Sequence, residues 1–154
     1  MAERKAEQLN GLEFTKPDML SEALLVLGRI RYERDEKVRA LEYFRRNFSK
    51  YDNVYAAESK YMEALILFQS DSLQAAKKSV FDFNNQFSSY DEWLGKSFNL
   101  LGDIYLKLGD EFSARATWNS VIANFSDMPA LVKEAKDKLA ALESRGAAPQ
   151  GGED

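Results

Sequence analysis

The sequence predicts an all-α fold: an α-solenoid of three stacked helix pairs followed by one closing helix. The first observation is a set of small residues, Gly28, Ala64 and Gly102, spaced by 36 and 38 positions. The second is a set of matching side chains at fixed distances beyond them. An alanine stands twelve residues on (Ala40, Ala76, Ala114), a larger apolar residue sixteen on (Phe44, Val80, Trp118) and an aromatic twenty-three on (Tyr51, Phe87, Phe125). Aromatics are 12% of the chain, so three at one offset would arise by chance about twice in a thousand. The third is composition: only 3 prolines in 154 residues, with abundant Ala, Leu, Glu, Lys and Arg, suits long helices.

Each unit reads as two helices. In the first helix of unit one, Leu24, Leu27, Gly28 and Tyr32 recur at spacings of three and four, which mark one helix face. Unit three repeats this with Phe98, Leu101, Gly102 and Tyr105. Unit two is weaker: Tyr61, Ala64, Leu65 and Phe68 supply the stripe, but Lys60 and Glu63 occupy positions that are apolar in its neighbours. The second helices carry Ala40–Phe44, Ala76–Val80–Phe83–Phe87 and Ala114–Trp118–Val121–Phe125. Short polar turns join the two helices of each unit at Arg34-Asp35-Glu36, Ser70-Asp71-Ser72 and Gly109-Asp110-Glu111. Helices joined by so short a turn must cross closely. A glycine or alanine at the crossing lets the backbones approach, and a bulky neighbour fills the space beside it.

Between units the chain reads Tyr51-Asp52-Asn53, Ser88-Ser89-Tyr90-Asp91 and Ser126-Asp127-Met128-Pro129, helix stops succeeded by N-cap candidates. Residues 130–142 read as one more helix with Leu131, Ala135, Leu139 and Leu142 on one face, a terminal cap for the open end of a stack. The expected organisation is an N-terminal segment over 1–17, a repeat domain over 18–144 and a disordered tail over 145–154. In the first segment residues 2–9 read as a short helix ending near Gly11, and Lys16-Pro17 marks a break.

Composition excludes several kinds of chemistry. With no cysteine there is no disulfide, thiolate metal site or cysteine nucleophile, and with no histidine the commonest metal ligand and neutral-pH base are missing. The net charge of −4 is unevenly spread: residues 1–50 hold 11 Lys/Arg against 9 Asp/Glu, and 51–154 hold 10 against 16. Arg29, Arg31, Arg34, Lys37, Arg39, Arg45 and Arg46 give the first part a basic bias, but Glu33, Asp35, Glu36 and Glu42 interleave with them. Solvated helix faces, not a nucleic-acid surface, are the expectation. No apolar run approaches the roughly 20 residues that cross a bilayer. The polar start reads as cytoplasmic as it stands, or as a periplasmic or cell-envelope domain if a longer secreted precursor encodes it.

The block Phe98…Leu101-Gly102…Tyr105…Gly109…Ala114…Trp118 resembles the tetratricopeptide repeat (TPR) signature. Unit one is similar through Leu24…Leu27-Gly28…Ala40…Phe44, with Arg31 in place of the tyrosine, and unit two keeps Ala64, Ala76 and the bulky positions. The long period and the unit ends also look like repeats of bacterial cell-envelope proteins. Among those are the tetratricopeptide lipoproteins of outer-membrane barrel assembly and the periplasmic cell-division coordinators. This chain has no lipid-attachment cysteine. The resemblance implies a right-handed stack whose first helices line a concave surface that holds a peptide or helix of a partner protein.

By the repeat register, the concave positions are Glu22, Leu25, Arg29 and Tyr32, then Glu58, Tyr61, Leu65 and Phe68, then Lys96, Asn99, Asp103 and Leu106. Tyr32, Tyr61 and Phe68 would offer flat contact area, and Arg29, Lys96 and Asn99 hydrogen-bonding handles. The other reading of these aromatics is packing against the facing second helices. Some family members grip a C-terminal carboxylate with lysines, asparagine and arginine. The matching places here are Leu25, Arg29, Met62, Lys96 and Leu100, of which only Lys96 and Arg29 would serve.

A catalytic role is not expected. The acid pairs Asp35-Glu36, Asp91-Glu92 and Asp110-Glu111 are adjacent in sequence, so on a helix they would point about 100° apart. They fall at turns or helix starts, where capping explains them. No catalytic residue, cofactor or metal ligand is assigned. The expected function is a protein-interaction scaffold. The competing reading is a fragment of a longer array, or a self-association domain with no separate ligand.

Overall fold

A computed structural model describes residues 16–147, and they form helices α1 (Lys16–Glu33), α2 (Lys37–Lys50), α3 (Val54–Gln69), α4 (Leu73–Gln86), α5 (Asp91–Lys107), α6 (Glu111–Asn124) and α7 (Pro129–Ala147). Among the described residues the fold is all-helical, with no strand. Two compact units divide it, Met1–Ser97 and Phe98–Asp154, with the boundary inside α5.

The three intra-pair turns are built alike. Asp35, Asp71 and Gly109 adopt φ of 60°, 62° and 83°, the left-handed region. Each lies seven residues after its anchor. Their N–H groups donate to the carbonyls of Tyr32, Phe68 and Leu106, at 3.0, 3.1 and 3.0 Å. The next N–H groups, of Glu36, Ser72 and Asp110, reach back five residues to Arg31, Leu67 and Tyr105, each at 2.9 Å. This double closure is the Schellman ending of a helix, and it needs a residue that tolerates positive φ. Glycine does so freely, and aspartate is among the few others that do.

The crossings match as well. Gly28 is buried against the Phe44 ring, and a Cβ added there would lie 2.7 Å from Cδ1 of that ring. Gly102 stands in the same relation to Trp118, with its added Cβ 2.7 Å from Cδ1 of the indole. Neither site has room for a methyl group. In α3 and α4 the corresponding Ala64 and Val80 are both buried. Ala40, Ala76 and Ala114 have no exposed surface.

In the first unit α2 packs between α1 and α3, α1 also meets α3, and α3 meets α4. One apolar cluster joins Leu25, Ala40, Phe44 and Ile66; a second joins Phe48, Ala56, Ala57, Phe83 and Phe87. The same unit holds a buried polar seam. Ser21 Oγ donates to Asn47 Oδ1 at 2.6 Å, and Asn47 Nδ2 donates to the Ser21 carbonyl at 3.0 Å and to Ser59 Oγ at 2.8 Å. Asn47 holds the position that is Phe83 and Val121 in the other pairs. A buried amide is tolerated when its donors and acceptor are satisfied, as here. Asn53 caps α3, its side chain accepting from Ala56 N–H at 2.9 Å.

In the second unit α7 packs on α6 and buries Leu131, Ala135 and Leu142. Trp118 is locked by its indole N–H, which donates to the Asn99 carbonyl at 3.1 Å.

Three boundaries differ from expectation. Lys16-Pro17 begins α1 and does not precede it, because proline in a first turn lacks an N–H that would have no helical partner anyway. The closing helix starts at Pro129 for the same reason and runs through Ala147, so residues 145–147, assigned to the tail, are helical. A glycine costs a helix only about 1 kcal/mol and is no stop by itself. The helix expected over 2–9 and the rest of the tail lie outside the described residues.

Candidate functional site

In the first unit α1 and α3 lie side by side, and polar side chains tie them together. The Arg29 guanidinium pairs with the buried carboxylate of Glu58, while half of the arginine side chain stays exposed. Nearer the helix ends, Tyr32 and Gln69 exchange hydrogen bonds of 3.1 and 2.8 Å. From α3, Tyr61 meets Trp93 of α5, with ring centroids 5.6 Å apart and planes at 42°. The Lys96 ammonium lies 4.3 Å from the centroid of that indole and 3.3 Å from the Glu92 carboxylate. Tyr32, Tyr61, Trp93 and Lys96 are all half-buried. Such partly covered rings with a cation above them offer amphipathic area whose geometry is already fixed.

Beneath this face lies a charged cluster. The Glu63 carboxylate accepts from Arg45 Nε at 2.8 Å, Lys60 Nζ at 2.8 Å and Ser79 Oγ at 2.7 Å, so α2, α3 and α4 each contribute a donor. Lys60 is itself buried, with its ammonium 4.3 Å from the centroid of the Phe48 ring. Burial alone would raise the Glu63 carboxyl, but the donors of Arg45, Lys60 and Ser79 together hold it below the ordinary carboxylate value. The carboxylate is fully engaged and ionised. It is a fixture of the scaffold, not a poised acid.

In the second unit the expected face positions are not an open stripe. Asn99 is buried, and its Nδ2 donates to the Leu131 carbonyl at 3.1 Å and to Glu134 at 3.2 Å. Asp103 receives Lys138 Nζ at 2.6 Å. Both partners belong to α7, which covers this side of α5. Burial raises the Asp103 carboxyl, Lys138 opposes the rise and Glu134 adds to it, with a net upward shift. Leu106, further along α5, is half-buried.

Two expected face residues are therefore corrected. Leu25 is a core residue packed with Ala40, Phe44 and Ile66, and Asn99 is an interior link to α7. Asp103 is engaged with α7 as an ion pair. Helical register places a residue on one side of its own helix but does not say which neighbour covers that side. Arg29, Tyr32, Tyr61 and Lys96 keep surface, as do the half-buried Glu22, Leu65 and Phe68, while Glu58 is buried and paired with Arg29. Trp93 is absent from the expected set. Its signal is its chemistry, an aromatic one turn before Lys96 on the same helix face.

Among the described residues no group of three or more acidic, histidine or cysteine side chains could hold a metal ion. Among them, too, no helix is long and apolar enough to cross a membrane. Compared with known proteins, the chain matches no protein-family model, no curated protein and no solved structure.

Proposed function

We propose that this protein is a protein-binding scaffold, in which tetratricopeptide-like helix pairs stack as a right-handed α-solenoid and present the first helices of the pairs to a partner. The repetition of the Schellman turn at Asp35, Asp71 and Gly109, together with the equivalent Gly28–Phe44 and Gly102–Trp118 crossings, supports the repeat reading. The binding reading rests on one observation: the Tyr61–Trp93 ring pair with Lys96 over the indole, half-covered and held by α3 and α5. Rings and cations held in place lose little freedom when a partner arrives, which is what makes them effective anchors. The partner takes the form of a peptide or helix that lays an apolar side chain on the rings and an acid against Lys96.

Affinity capture from the native extract tests this. Tyr61→Ala and Lys96→Glu should each abolish recovery of a stoichiometric partner while the helical circular-dichroism signal stays unchanged. Capture that survives both substitutions removes this face from the interaction. A wild-type mass that rises with concentration in light scattering, with no captured partner, favours self-association instead.

A further inference from the structure

The outer side of α2 carries a second charged surface that the α1–α3 face does not use. The helix buries Ala40, Phe44, Asn47 and Phe48. At 100° per residue, Arg39, Tyr43, Arg46 and Lys50 fall within about 60° of arc on another side and span about 16 Å along the axis. Arg39, Arg46 and Lys50 are exposed, and among the described residues none of the three side chains has a hydrogen bond or ion pair. Two of them rest on rings: the Arg46 guanidinium carbon is 5.8 Å from the centroid of Tyr43, and Lys50 Nζ is 5.5 Å from that of Tyr51. Elsewhere in the molecule, cations such as Arg29, Arg45, Lys78, Lys96 and Lys133 each meet a carboxylate. The α2 stripe is thus a local positive surface on a chain whose net charge is −4.

We infer that this α2 stripe is a docking surface for an acidic helix of another protein. The axial steps from Arg39 to Arg46 and from Arg46 to Lys50 are about 10 and 6 Å. A partner helix lying alongside repeats those steps with carboxylates at positions i, i+7 and i+11. The rings beneath Arg46 and Lys50 hold the cations in place before binding, so little side-chain freedom is lost. A nucleic-acid strand fits less well. Glu42 flanks the stripe with no neutralising cation among the described residues, and the chain as a whole repels polyanions. A mixed-charge protein helix can place a lysine against Glu42, which a phosphate backbone cannot.

Fluorescence anisotropy on the full chain tests the inference with three labelled probes: an alanine-rich helical peptide with glutamates at i, i+7 and i+11, its glutamine counterpart, and a thymidine oligonucleotide of equal charge. The acidic peptide should bind most tightly, and added salt should weaken it. Arg39→Glu with Arg46→Glu should weaken it by roughly tenfold or more. Arg39→Gln with Arg46→Gln, which keeps good helix formers, should give a smaller loss in the same direction. Lys16→Glu with Lys136→Glu, equal in charge change but on α1 and α7, should leave binding within about twofold. The inference is overturned if the glutamine peptide binds as well or the oligonucleotide binds tighter. It is equally overturned if the α1/α7 variant loses as much, or if Arg39→Glu/Arg46→Glu abolishes a concentration-dependent self-association.

Discussion

The α3/α4 pair and the α5/α6 pair solve the same packing problem with opposite materials. In α5/α6 a glycine lies under an indole, and Trp118, Val121 and Ile104 are buried with no charged side chain buried in either helix. In α3/α4 the anchor is Ala64, and the neighbouring interior holds Lys60, Glu63 and Ser79. The difference arises from the surroundings of α3. It packs against α1, α2 and α4, so residues on several of its sides are buried, including Glu58, Lys60 and Glu63. A helix enclosed in this way can carry charges only if each finds a counterpart, and Glu63 collects three donors. The pair whose apolar stripe is weakest in sequence thus holds its buried charges through named partners, Arg29 for Glu58 and the three donors for Glu63.

Removing one member of the charged cluster is the most severe test of that arrangement. Glu63→Ala leaves Lys60 buried beside Phe48 without its nearest carboxylate; Asp82, at 4.0 Å, compensates poorly. The expected loss is about 3 kcal/mol, measured by urea denaturation. Replacing the pair together, Lys60→Met with Glu63→Leu, should recover most of that loss, since well-packed apolar residues often match a buried ion pair. If the single and double variants are equally unstable, the cluster is not a compensated pair.

A smaller effect is expected at the crossings. Gly102→Ala and Gly28→Ala each push a methyl group into an aromatic ring and should cost about 1–3 kcal/mol, although alanine is the better helix former. Ala64→Gly should cost only about 1 kcal/mol, from helix propensity and a small void. Thermal melts that rank Ala64→Gly as the worst of the three would break the crossing equivalence.

The smallest expected effect is in the acid dependence, where the two regions have opposite signs. The Glu63 carboxyl is held below its ordinary value, so its contribution is complete above the unfolded value, about 4.3, and is lost as pH falls through the folded value. The Asp103 carboxyl is raised, so the folded state binds that proton more tightly and is helped, not harmed, as pH falls through the folded value. Between about pH 5 and 3, Glu63→Gln should flatten the decline of stability with acid and Asp103→Asn should steepen it. Equal slopes in both variants would sink the assignment.

Periodicity makes the helices and turns legible because each depends on residues a few positions apart. The anchors at Gly28 and Gly102 and the turns at Asp35, Asp71 and Gly109 lie where the spacing implies. The turn aspartates divide in role: Asp110 caps α6 through Ser113 N–H as expected, while Asp35 is instead a left-handed helix ending. The interior polar links are not legible. Ser21, Asn47 and Ser59 are far apart in the chain and carry no periodic mark, and Lys60 and Glu63 look like defects in a stripe. The candidate face is legible in part. Tyr61 and Lys96 are expected there, but Leu25 and Asn99 turn inward and Trp93 is missing from the set.

By itself the sequence determined that the chain is helical, where its helices turn, and which small residues stand at the crossings. These are short-range matters of backbone geometry and side-chain size, repeated at a near-constant interval. Tertiary structure alone decided which sides of each helix are covered. A helical stripe names a direction, and only the neighbour standing in that direction makes it core, ion pair or open surface.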